Sequence, residues 1–234
     1  MSRRIAIIPA RGGSKRIPKK NIKDFNGRPM ITHILHTAKD SDLFDLIHVS
    51  TEDTEIVNTV ISFGLNIDFL RPENLSTDHT PLLPVLKYVI ETYAKQGVEF
   101  DEVWLLMACS PLVEKSDLLN AAELYDSQQG TKKGILAVTE YPAPVEWAFT
   151  MNDDSSLEPL DADKQLLRSQ DIETKYFDSG TFVIFPVEQI LDADSKGRHS
   201  KYLGYILPKL KGIDIDNEHD WEFAEMVHVI KSRG

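Results

Sequence analysis

Apolar residues return along this chain in two alternating rhythms. Ile5 to Ile8 is an unbroken apolar run, bounded by Arg4 and Pro9, as a strand buried on both faces requires. Met30, Ile31, Ile34, Leu35 and Ala38 then recur at helical spacing. Leu46 to Val49 predicts a second strand, and Ile56, Val57, Val60 and Ile61 a second helix. Leu65 to Phe69 predicts a third strand. Leu82, Leu83, Leu86, Val89, Ile90 and Tyr93 predict a third helix, opened by Pro81. Val103 to Met107 and Ile135 to Thr139 read as further strands. Between them Asp117 to Asp126 reads as a helix with Ser116 as its cap. This alternation predicts an α/β fold, a parallel sheet with helices on both faces.

The rhythm breaks at Tyr141. Residues 141–175 hold three prolines, many acids and short irregular apolar pieces. We read them as an inserted lobe with short antiparallel strands, inside a single domain spanning 1–234. Regular pattern resumes at Thr181 to Phe185 and Tyr202 to Ile206, and a helix near Trp221 to Lys231 closes the chain.

Charge sharpens this picture. The first thirty residues hold nine Lys or Arg against one acid, Asp24, a formal charge of +8. The remaining residues carry −19, leaving −11 overall. The acidic total argues against general binding to nucleic acid or to anionic membranes. No apolar run approaches the roughly 20 residues that span a bilayer. Cys109 is the sole cysteine, which excludes an internal disulfide and any multi-cysteine metal site. The N-terminus lacks a signal-type segment, so the cytoplasm is the expected compartment.

The concentrated positive charge lies in Arg11-Gly12-Gly13-Ser14-Lys15-Arg16-Ile17-Pro18-Lys19-Lys20-Asn21, directly after the first strand. Ligands of open α/β sheets bind at such carboxyl ends. Two glycines can take positive φ and turn their N–H groups inward around an anion. Lys and Arg add charge-assisted hydrogen bonds to phosphate oxygens. Neither the P-loop nor the dinucleotide spacing is present. A solvated loop, or one meeting an acidic partner, is the alternative. In Gly212-Ile213-Asp214-Ile215-Asp216, residues i and i+2 of an extended chain point to one side. Asp214 and Asp216 can therefore offer two hard oxygens to Mg2+, or Asp216 or Asn217 can cap the last helix. Arg71, in Arg71-Pro72-Glu73, could aim at a ligand or face solvent. Arg168 to Asp171 and Asp178-Ser179-Gly180 could touch a sugar, or the latter could simply turn. His33 and His36, with no third ligand in view, read as surface or boundary histidines rather than a zinc site. Cys109 reads as a small buried side chain rather than a nucleophile.

Together these segments resemble the acylneuraminate cytidylyltransferases, the CMP-nonulosonate synthetases, and most of all their pseudaminic acid branch. The resemblance rests on IIPARGGSKRIPKKNI, HVSTEDTEI, FLRPENLSTDHT, the MACSPL strand end, RSQDIETKYFDSGTF and GIDIDNEHDW. The sialic acid branch usually reads Gln-Pro-Thr-Ser-Pro where this chain has Met107 to Pro111. The resemblance implies a Rossmann-like sheet and a homodimer in which residues near 141–175 reach toward the partner's site. It implies transfer of CMP from CTP to a nine-carbon sugar acid with release of pyrophosphate. Arg11, Gly12, Gly13, Ser14, Lys15, Lys20 and Asn21 would hold CTP, Arg71 would frame its pocket, Arg168 and Ser179 would face the sugar, and Asp214 and Asp216 would bind Mg2+. Arg11, Lys20 and the two aspartates are the expected catalytic groups. Alternatives are legionaminate or sialate as acceptor, a related nucleotidyltransferase, and a non-catalytic nucleotide-binding module.

Overall fold

The apolar runs assemble one six-stranded sheet in a computed structural model that describes residues 2–128, 133–192 and 202–232. In chain order the elements are β1 (Arg4–Pro9), β2 (Asp24–Phe25), β3 (Arg28–Pro29), α1 (Met30–Ser41), β4 (Leu46–Ser50), α2 (Thr54–Phe63), α3 (Leu82–Lys95), β5 (Glu102–Leu106) and α4 (Lys115–Ser127). Then follow β6 (Gly134–Glu140), β7 (Phe149–Met151), β8 (Leu157–Pro159), β9 (Tyr176–Pro186), α5 (Val187–Leu191), β10 (Tyr202–Ile206) and α6 (Glu218–Ser232). The large sheet has the order β10-β6-β9-β5-β1-β4. Strand β1 lies parallel to β4 and β5, and β10 lies parallel to β6.

Two packed layers follow from the pleat. Ala6 and Ile8 of β1 join Ile34, Leu35, Trp104 and Phe182 on one face. Ile5 and Ile7 join Leu86, Val89, Val103 and Phe185 on the other. A third cluster seats the basic segment: Ile17, fully buried, packs with Phe25, Leu112, Ile215 and Trp221. The residues between β1 and α1 are thus fastened beneath α6 rather than left as a free loop.

Four expectations are corrected. Leu65 to Phe69 joins no sheet and bends at Asp68 and Phe69, so β4 is an edge strand. Strand β9 runs antiparallel to both β5 and β6 and begins at Tyr176, five residues before the predicted start. Helix α4 is opened not by Ser116 but by a reciprocal cap, with the Glu114 N–H donating to Asp117 at 2.8 Å. His33 is a core histidine: its Nε2 lies 2.9 Å from the Phe25 carbonyl oxygen, and burial pushes its pKa down to about 4. Its neighbour His36 is exposed, edge-on to Phe63. The lobe at 141–175 does carry an antiparallel pair, β7 with β8. No helix of the described residues is long and apolar enough to cross a membrane.

Candidate active site

A cavity of about 530 Å3 opens at the carboxyl end of β1, as expected for a parallel sheet. One wall is the basic segment, with Arg11, Ser14, Lys15, Arg16 and Lys20. Asp214 and Asp216 join the lining beside it. Arg71 and Asp78 also line it, and Leu82, Val85 and Met107 are among its apolar members. A volume of several hundred Å3 with few convergent polar groups is the usual form of a small-ligand site.

The charges inside are cross-linked. Asp78 accepts from both Arg11 and Lys15, which together hold its carboxyl near a pKa of about 2. Arg16 Nη2 lies 2.8 Å from Asp216 Oδ1. Lys20 Nζ donates to the Ile215 carbonyl at 2.6 Å and lies 3.7 Å from Asp216. Asp214 has its pKa raised, first by desolvation within the cavity walls and then by the like charge of Asp216. Two crowded carboxylates, one destabilised as an anion, suit a divalent cation. No cluster of three ligating side chains exists among the described residues. A cation here would therefore take the rest of its shell from substrate phosphates and water, the common arrangement for Mg2+. The capping alternative falls to Asn217: its Oδ1 accepts the Asp220 N–H at 3.0 Å, and Asp220 accepts the Asn217 N–H in return.

Glycines shape the wall that bears the carboxylates. Gly180 adopts φ 63, and a Cβ there would lie 3.2 Å from Asp214 Cγ. At Gly212 a Cβ would lie 2.9 Å from Thr139 Cβ. Both absences let the 212–216 segment close onto β6 and β9.

The sequence-based site residues divide. Arg11, Ser14, Lys15, Lys20, Asn21, Arg71, Asp214 and Asp216 all border the one cavity. Arg71 is buried, its guanidinium donating to Ser50 Oγ at 3.1 Å and to the Ser50 carbonyl. Asn21 spends its side chain on support, donating to the Arg11 carbonyl at 2.8 Å and accepting from the Cys109 thiol at 3.3 Å. Cys109 itself borders the cavity, and burial pushes its pKa up to about 11, so it is a thiol and a donor. The glycine reading is corrected. Neither Gly12 nor Gly13 has positive φ, and the Gly12 N–H donates to Glu52 at 2.9 Å instead of facing the cavity. In this segment Lys19 takes the left-handed conformation, at φ 53. Ser179 is also corrected: it is fully buried, its hydroxyl donates to the Ala137 carbonyl at 2.8 Å, and it does not line the cavity. Arg168 lies on the exposed lobe, paired with Asp171, and does not border the cavity. Asp78 and Glu52 were missed. Neither has a local signal, because their partners lie 67 and 40 residues away.

Comparison with known proteins agrees with this geometry. The Cytidylyltransferase family matches residues 5–195. A pseudaminic acid cytidylyltransferase of Campylobacter jejuni is 35% identical over 97% of this chain and 96% of its own length. The CMP-N,N'-diacetyllegionaminic acid synthase of Legionella pneumophila is 28% identical over 94% of each chain. Among solved structures, a CMP:2-keto-3-deoxy-manno-octonic acid synthetase complexed with CTP superposes with a TM-score of 0.72. It covers 98% of this chain and all of that one, at 17% identity, and so shares the fold. The chain belongs to the cytidylyltransferase family of nucleotidyltransferases.

Proposed function

We propose that this protein joins CTP to a nonulosonic acid, pseudaminic acid first among them, giving the CMP-sugar and pyrophosphate. The observation that carries the reading is the convergence, on one cavity, of the basic segment and the Asp214/Asp216 pair. The similarity of the whole chain to a pseudaminic acid cytidylyltransferase supports the choice of acceptor. The sugar's anomeric hydroxyl attacks the α-phosphorus in line. Its oxygen bonds to phosphorus, the bond to the β-phosphate breaks, and the hydroxyl proton passes to solvent.

A triphosphate and a sugar carboxylate repel each other, so the site's task is to offset charge and align the reactants. In this reading the triphosphate displaces Asp78 from Arg11 and Lys15, exchanging internal ion pairs for contacts to phosphate. The backbone of Gly12 and Gly13 carries these side chains, Ser14 adds a hydroxyl, and Asn21 holds Arg11 in place. Arg71 frames the nucleotide from its seat on Ser50. Lys20 and Arg11 stabilise the charge that grows on departing pyrophosphate. Asp214 and Asp216 would hold Mg2+, which supplies polarisation of the α-phosphate and a lower pKa for the attacking hydroxyl.

Assembly belongs to the same proposal. The lobe exposes Met151, Leu157, Leu160 and Leu166, an apolar patch suited to a second copy of the chain. Arg168, remote from its own cavity, would then serve the partner's sugar site. The cytoplasm, with its CTP pool, is the proposed compartment.

Pyrophosphate release from CTP with pseudaminic, legionaminic and sialic acids, with and without Mg2+, is the direct test. Release with at least one of them, abolished by chelation and restored by Mg2+, is expected. Silence with all three would overturn the assignment.

A further inference from the structure

Asp68, Phe69 and Leu70 lead into Arg71 alongside the edge strand β4 without pairing to it. Backbone contact comes at the end of the stretch, where the Arg71 N–H donates to the Thr51 carbonyl at 2.8 Å. Side chains take the place of the missing ladder. Tyr93 of α3 donates its hydroxyl to Asp68 Oδ2 at 2.7 Å. His48 of β4 brings Nδ1 to 2.9 Å from the same hydroxyl oxygen. The His48 ring stacks on Phe69, with centroids 4.6 Å apart, and Phe69 meets Tyr93 at 5.0 Å.

Proton counting fixes the direction of this chain. A tyrosine has one proton, and Asp68 receives it. The tyrosine oxygen must then accept from His48, so Nδ1 carries the imidazole hydrogen and Nε2 is bare. That Nε2 is buried with no hydrogen-bond partner. A bare nitrogen in a residue only 1% exposed is an unfavourable arrangement that plain apolar packing would avoid. Its position gives it a use. His48 and Ser50 are two apart on β4 and point to one side of the sheet. Ser50 is the residue that grips the Arg71 guanidinium. One face of one strand therefore holds both ends of the 68–71 stretch.

We infer that the His48–Tyr93–Asp68 chain is a positioning device that sets Arg71 in the nucleotide pocket and so governs affinity for CTP. It touches no substrate and acts through Arg71. The inference rests on the functional reading above.

Steady-state pyrophosphate release at varied CTP tests it. Tyr93→Phe keeps the ring and removes the link. It should raise KM for CTP about five- to tenfold, the loss expected for one buried hydrogen bond. The kcat should hold within roughly twofold, because a change confined to KM marks binding shared by ground and transition states. Asp68→Ala should copy Tyr93→Phe, and Asp68→Asn, which retains an accepting oxygen, should restore KM. In an Arg71→Ala background Tyr93→Phe should add nothing further. A lowered melting temperature with unchanged KM would make the chain merely structural, and a KM increase that persists without Arg71 would overturn the route. Calorimetric CTP affinity of the same variants separates the two readings. If no sugar acid supports turnover, the acceptor assignment fails while the CTP comparison still decides this one.

Discussion

Lys20 links two segments that lie 195 residues apart, donating to the Ile215 carbonyl and lying within ion-pair distance of Asp216. Its side chain is mostly enclosed, so its charge acts in a medium where electrostatic contacts are stronger than in water. If it follows charge onto the leaving pyrophosphate, Lys20→Ala should lower turnover by roughly two orders of magnitude or more. Lys20 lies at the cavity edge and not in the apolar core, so the fold should survive, and circular dichroism with initial-rate measurements reads both. Near-normal turnover would remove Lys20 from the chemistry. At this scale the charged members of the site were legible. Arg11, Lys15 and Lys20 stand out because an acidic chain gathers its positive charge in one place, and Asp214 and Asp216 because of their spacing. Asp78 was not legible, since its role arises only when the chain brings it against Arg11 and Lys15. Ser179 was misread because nothing local shows that β9 turns its hydroxyl toward Ala137.

Helix α2 and the basic segment depend on one another at the element scale. Asp53 caps α2, accepting from the Glu55 and Ile56 N–H groups at 2.8 and 3.0 Å. A Cβ on Gly12 would lie 2.0 Å from Asp53 Oδ2 and 3.0 Å from its Cβ. Gly12 is therefore needed for close approach, not for a left-handed turn. Gly12→Ala should push the carboxylate off the helix and destabilise the protein by about 1 kcal/mol or more, the usual loss for a broken N-cap. Asp53→Ala should cost about the same, and the double variant less than the two combined, because both remove one interaction. Urea denaturation of the three variants measures this, and additive losses would refute the coupling. Element identity was readable where short apolar runs were buried, as in β1 and β5. The alternation of Leu65, Ile67 and Phe69 was also real, because those side chains do pack inward. Leu65 and Ile67 pack against one core layer and Phe69 against the other, so this period-2 pattern reports inward-facing side chains, not a ladder. It is equally silent on direction, which is why β9 came as an antiparallel strand.

Across the whole molecule the loss of periodicity at Tyr141 marked where the short β7–β8 pair leaves the large sheet, whereas no occupant for that stretch could be read, because exposed apolar residues do not name what covers them. Leu166 is 90% and Met151 70% exposed, and among the described residues Arg168 has Asp171 as its ion-pair partner. In the proposed dimer, two-fold symmetry makes each lobe complete the other protomer's site. Lys20→Ala disables the site that its own chain builds, and Arg168→Ala disables the site across the interface. A mixed dimer of these two variants holds one site with both defects and one with neither. Random exchange makes half the dimers mixed, so two nearly inactive proteins should regain about a quarter of the wild-type activity when unfolded and refolded together. Sedimentation velocity should show particles of twice the 26.5 kDa chain in every sample. If the refolded mixture stays as inactive as its components while dimers form, Arg168 does not act across the interface. If only monomers form, the apolar face of the lobe serves another purpose.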